Sequence, residues 1–198
     1  MKRILLAVIG LGLVALLLGL WAAFGQGDEA PATAAPQVWS VDTAREFKDY
    51  PVYWVGQEYK GLPLVQVARM DYPGAAPGKP GSRAWNEVSF TYGDCEIGPG
   101  EESCAMPLTI DIRPYCDLRP EQVAAGAKVG SPEFIRGALV QKVAGNSARL
   151  WTSNVSIGVA ATGEVNVGEV ISSLVRLNGG KPTSPDENLG PPDEIECP

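Results

Sequence analysis

Histidine is absent from this chain of 198 residues. Its absence removes Ser-His-Asp and Cys-His nucleophile pairs, the usual proton shuttle at neutral pH and any His-ligated metal site. Lysine is scarce beyond the N-terminus, being confined to Lys48, Lys60, Lys79, Lys128, Lys142 and Lys181. None of these follows a serine in Ser-x-x-Lys spacing, and Lys181-Pro182-Thr183 is not Lys-Thr-Gly, so a Ser-Lys nucleophile pair lacks its motif. The 23 Gly and 17 Pro show no collagen period, and 45% apolar residues are too many for a disordered chain. Basic runs are also missing. Of 16 Lys and Arg, Lys2 and Arg3 precede residue 4, which leaves 14 against 23 acids, a balance of −9. That charge argues against a nucleic-acid partner, which needs a basic face, and against contact with an anionic leaflet.

The N-terminus sets the topology. Residues 4–24 carry no charge and no proline. As a helix they would extend about 31 Å at ~1.5 Å per residue, enough to cross a hydrocarbon core of about 30 Å. Lys2 and Arg3 precede the span and Asp28 and Glu29 follow it. The positive-inside rule therefore predicts residues 1–3 as a cytoplasmic tail and everything after Phe24 as extracytoplasmic. The rival reading is a cleaved signal peptide ending near Ala23-Phe24-Gly25; the length of the apolar run favours an uncleaved anchor. Gly10, Gly12, Ala15 and Gly19 offer small residues for helix pairing, or simply fill a leucine-rich span.

Residues 25–36 are small, polar and proline-containing, and read as a linker. Residues 181–198 carry five prolines and a charge of −4, and read as an acidic tail without regular structure. Between them, residues 37–180 are long enough for one core. Asp42 is predicted to cap a short helix over 43–49, stopped by Pro51. Strands are predicted at 52–55, 62–70, 87–95, 104–112, 138–143, 148–152 and 155–161, with a hairpin turn at 144–147 and a long loop at 73–84. Residues 120–125 read as one helical turn. Asn166 is predicted to cap a helix over 167–177, with Val167, Val170, Ile171, Leu174 and Val175 as its apolar stripe and Asn178-Gly179 as its stop. The fold class expected is α+β: a largely antiparallel sheet with a C-terminal helix packed on one face, preceded by one transmembrane helix. A β-sandwich is the alternative.

Cys95, Cys104, Cys116 and Cys197 all fall on the predicted extracytoplasmic side, where an even count fits two disulfides. Cys95 ends one predicted strand and Cys104 begins the next, so Cys95–Cys104 would close a hairpin and Cys116–Cys197 would tether the tail. The spacings lack the short paired ligands of zinc sites, so no metal and no cofactor is expected.

One series of motifs carries a resemblance: PVYWVG at 51–56, GLPL at 61–64, FTYGDC at 90–95, CAMPL at 104–108 and PYC at 114–116. Through them the chain resembles uncharacterised bacterial membrane-anchored extracytoplasmic proteins of Gram-positive-type and related bacteria, over roughly residues 50–178. The resemblance implies a bacterial source and a shared domain. It brings no activity and no catalytic residue. A bacterial source makes the sequon at Asn154-Val155-Ser156 a chance match.

Paired carboxylates for glycoside cleavage remain open at Asp94, Glu96, Asp111 and Asp117, near predicted strand ends where solvated acids also belong. The acids of the tail lack the spacing of a calcium loop. Aromatic residues in strands usually serve the core. Tyr53 and Trp54 are adjacent, however, so in a strand they point to opposite faces. With Trp85 at the end of the long loop, they form the binding residues expected for a recognition surface. The functional expectation is a single-span bacterial envelope protein displaying a binding domain for an envelope protein or small ligand. A structural subunit of a membrane complex and a carboxylate-based envelope hydrolase are the alternatives.

Overall fold

The computed structural model of the chain describes residues 35–72, 84–93, 106–114, 123, 125–179, 185 and 187–190. The predicted span and the four cysteines lie outside these residues, as do Asp94, Glu96, Asp117 and most of 120–125. The described residues belong to one compact unit, Thr33–Pro198. No helix among them is long and apolar enough to cross a membrane.

Eleven strands are described: β1 Gln37–Trp39, β2 Tyr53–Trp54, β3 Glu58–Tyr59, β4 Leu62–Tyr72, β5 Trp85–Tyr92, β6 Leu108–Pro114, β7 Lys128–Ile135, β8 Ala138–Val143, β9 Ser147–Trp151, β10 Val155–Ala161 and β11 Val175–Arg176. Two α-helices accompany them, α1 Val41–Glu46 and α2 Val167–Ser173. Nine strands form one sheet in the order β1-β4-β5-β6-β10-β9-β8-β7, with β3 added to β4. Every pairing is antiparallel. Two meanders, β4–β6 and β7–β10, meet where β10 lies beside β6.

The period-2 pattern of each strand selects one apolar face. Val88, Ile112, Ile157, Leu150 and Val140 form one row across five strands, and Val67, Phe90, Ile110, Val159 and Ala148 form the next. These side chains are buried; full burial of one large apolar side chain contributes roughly 1.5–3 kcal/mol. The face is covered by α1, by α2 and by a small ribbon in which β2 pairs with β11. The α+β expectation of an antiparallel sheet with a C-terminal helix therefore holds for the described residues.

Local structure departs from the sequence reading at several points. Helix α1 begins earlier than predicted, because the Ser40 hydroxyl, not Asp42, accepts the Thr43 N–H at 3.0 Å; Asp42 sits in the first turn. Asn166 does cap α2, its Oδ1 accepting the Glu169 N–H at 3.2 Å. The helix stops at Ser173, four residues short of the predicted end, because Leu174 turns extended at φ −59° and ψ 130°. Val175, expected on the helical stripe, instead pairs with Trp54. Strand β7 was not predicted. Gly130 and Pro132 interrupt its pattern, and the ladder to β8 is irregular between Val129 and Glu133, which an edge strand tolerates. Within the stretch expected as a tail, Leu189 is buried and its N–H donates to the Arg136 carbonyl at 2.7 Å.

The two ends of the domain are joined by Asn178. Its Oδ1 accepts the Val52 N–H, and its Nδ2 donates to the carbonyls of Phe47 and Tyr50, all at 2.8 Å. Asn178 is 3% exposed.

Candidate functional site

Alternation places a second set of side chains on the sheet face away from the helices. On β5 these are Trp85, Glu87, Ser89 and Thr91; on β6, Thr109, Asp111 and Arg113; on β10, Ser156 and Gly158; on β9, Arg149 and Trp151. Apart from Trp85, Trp151 and Gly158 the set is polar or charged, yet Glu87, Ser89, Thr91 and Ser156 are buried, as is Gln141 opposite Arg149 on β8. A buried polar group needs a partner. Ser89 donates to Asp111 at 2.8 Å, and Gln141 donates to the Lys142 carbonyl at 2.9 Å. Arg113 pairs with Glu87, whose side chain is 4% exposed.

Four charges converge there. Burial pushes the Glu87 carboxyl above the ordinary carboxylate range; neighbouring Asp111 adds to this, and the Arg113 guanidinium opposes it. Arg149 is pushed down to about 10 by burial and then by Arg113, against the pull of Asp111 and Glu87. Two carboxylates and two guanidinium groups give the cluster no net charge, which limits the desolvation penalty of holding ions away from water.

Beside this cluster stands an aromatic stack. Tyr72 and Trp85 lie 3.8 Å apart at 12°, and the Arg113 guanidinium sits 4.4 Å from the centroid of the Trp85 ring. Tyr72 comes from the strand on one side of β5 and Arg113 from the strand on the other, so both faces of the Trp85 ring are occupied.

The three residues expected as a recognition surface are not together. Tyr53 is buried, and Trp54 packs on Phe90 at 6.2 Å, on the helix side of the sheet. Trp85 occupies the opposite side. Strand β2 pairs with β11, so its two aromatics contribute to the layer over the core. Of the acids considered from sequence, Asp111 belongs to the charge cluster. Glu87, Arg113 and Arg149 were not foreseen; matched charges at alternate positions of strands were their signal, readable only once the strand order is known.

Concave features lie on the helix side. A groove of about 500 Å³ opens between α2 and strands β7–β9. Val129, Ile135, Val165, Val167 and Ile171 line it, with Asn146 as a polar member. The exposed Glu133–Lys142 ion pair, at 3.3 Å, stands at the same groove. A second cleft, of about 610 Å³, lies at the end of α1, with Arg45, Glu46, Lys48, Asp49 and Arg176 in its lining. Among the described residues no cluster of three or more acids or cysteines could hold a metal ion. Comparison with family models, curated proteins and solved structures finds no match to this chain.

Proposed function

We propose that this chain is a single-span bacterial envelope protein whose extracytoplasmic α+β domain binds a compact, largely apolar ligand in the groove beside α2. The groove carries this reading. Its volume of about 500 Å³ falls within the roughly 300–1,000 Å³ of ligand pockets, and its floor of valine and isoleucine side chains is rimmed by Glu133, Lys142, Asn146, Ser147, Glu164 and Asn166. The anchor and its orientation rest on the uncharged run at 4–24 and the charges flanking it. The disulfides Cys95–Cys104 and Cys116–Cys197 follow from that orientation and from the strand pattern.

Binding is tested by a photoreactive residue placed at Val129, which lines the groove and is 51% exposed, in the full chain in its cells. A control at Val38, 74% exposed on the other edge strand, reports random encounter. A discrete adduct at 129 that is missing at 38 supports the groove, and identical adducts at both positions refute it. A reporter fused after Pro198 that works only outside the cytoplasm tests the topology, and peptide mapping of unreduced protein tests the disulfides.

A second reading draws on Glu87, whose raised carboxyl neighbours Asp111 as an acid–base pair would require. Under it the chain is a carboxylate-based envelope hydrolase, and Glu87→Gln abolishes hydrolysis of envelope polymers. The ion pair with Arg113 and the burial of Glu87 weigh against access by a substrate.

A further inference from the structure

We propose that Asn178-Gly179 is a deamidation site held closed by the fold, at which a transient opening of the domain becomes permanent. An asparagine followed by glycine is the dipeptide most prone to this reaction, because no side chain shields the glycine nitrogen. The Gly179 nitrogen loses its proton to solvent base and attacks the Asn178 carboxamide carbon. A C–N bond forms, Nδ2 takes up a proton and leaves as ammonia, and water opens the resulting succinimide to an aspartyl or isoaspartyl residue.

The native structure opposes the first step. Ring closure needs the carboxamide carbon to swing onto the Gly179 nitrogen. Both ends of that carboxamide are fixed, Oδ1 on the Val52 N–H and Nδ2 on the Phe47 and Tyr50 carbonyls. Gly179 itself is exposed, at φ +79°, with the Arg176 guanidinium beside it. The reaction therefore waits for the three bonds to open together.

The product cannot close again. An aspartate puts a carboxylate oxygen where Nδ2 donated, against two carbonyl oxygens, and places a charge at a position 3% exposed. An isoaspartate also lengthens the backbone beside that position. In either form the stretch 47–52 loses its three bonds to the residue-178 side chain and keeps the backbone bond from the Leu177 N–H to the Val52 carbonyl.

The test uses the full chain, folded in a nanodisc, held at mildly alkaline pH and sampled over time. Peptide mapping with isoaspartyl methylation reads conversion at Asn178, and a parallel sample in denaturant gives the unprotected rate. Conversion in the folded chain is expected to be at least about tenfold slower, as a local opening equilibrium requires. Converted molecules are expected to lose hydrogen-exchange protection at the Val52 N–H. Equal rates in the two samples would overturn the proposal, and so would converted protein whose Val52 protection is unchanged. Asn178→Asp, where it folds, should reproduce the lost protection; the rate comparison on the unaltered chain does not depend on that variant.

Discussion

The guanidinium of Arg149 lies over Gly158, the residue paired with it on β10. A Cβ at 158 would stand 3.0 Å from the Arg149 Cζ and 3.1 Å from its two terminal nitrogens. A side chain here would lift the guanidinium off the sheet and away from Ser156, whose hydroxyl accepts from it at 3.4 Å, and from the carboxylates beyond. Gly158→Ala should therefore destabilise the domain by about 1–3 kcal/mol, the usual range for overpacking a filled site. In an Arg149→Ala background the same change should be close to neutral. Chemical denaturation of the four members of that cycle measures the coupling; additive effects would mean that Gly158 is needed for another reason.

Much of the fold was legible because burial on one sheet face imposes a period of two. Val88, Phe90 and Tyr92, and Leu108, Ile110 and Ile112, stand in the sequence as they stand in the core. What stayed hidden depends on the partner strand. Glu87 was placeable on the face opposite Val88, but only the register to β6 brings it to Arg113. Asn178 reads locally as a helix stop; its three bonds reach residues 47, 50 and 52, which no local pattern reports. Strand β7 was illegible for a related reason. Gly130 and Pro132 weaken any strand pattern, and only the edge position with its irregular ladder accommodates them. Trp85 was legible only as an aromatic at the end of the long loop; Tyr72 and Arg113, which contact its ring, come from the two neighbouring strands.

Glu87 predicts a pH dependence with a definite sign. Its folded carboxyl is raised above the ordinary value, so the folded state holds the proton more tightly than the unfolded chain. This group then favours folding most at low pH, and its contribution is lost as pH rises from the ordinary carboxylate value through the raised one. Subtracting the stability profile of Glu87→Gln from that of the unaltered chain isolates the effect from other carboxylates. The difference should decline across that window and be level above it; a difference that grows with pH would mean that Arg113 outweighs burial.

Trp85 should matter for stability through both of its neighbours. The stack on Tyr72 is worth about 0.5–1.5 kcal/mol beyond burial, and the Arg113 contact about 0.5–2 kcal/mol. Trp85→Leu keeps an apolar side chain and loses both, so a loss of about 1–3.5 kcal/mol is expected on those figures. Tyr72→Leu, which leaves Arg113 in place, should lose less. Urea denaturation of the two variants checks the order; equal losses would show that the Arg113 contact contributes nothing.

Arg136 ties three segments from a turn where its own backbone is strained. It stands at φ +52°, followed by Gly137 at φ +80°, in the tight connection between β7 and β8. Its guanidinium donates to the Leu174 carbonyl at 2.6 Å, beyond the end of α2, and to the Glu187 carbonyl at 2.7 Å and 3.0 Å. Backbone and side chain therefore act in opposite directions: a positive φ favours glycine, whereas the bonds need the guanidinium. Arg136→Gly separates them. Relief of the strained φ offsets part of the loss, and a net destabilisation of about 1–2 kcal/mol is expected from the hydrogen bonds to a charged group. The Leu189 N–H, bonded to the Arg136 carbonyl at 2.7 Å, supplies the local readout. Its hydrogen exchange should accelerate in Arg136→Gly by more than the global loss of stability accounts for, because residues 187–190 lose their second attachment. Gly137→Ala should have the larger global effect, since its Cβ would fall 1.9 Å from the Asn188 Oδ1 at a positive φ. If Leu189 exchange in Arg136→Gly follows global stability alone, the guanidinium does not hold the C-terminal segment.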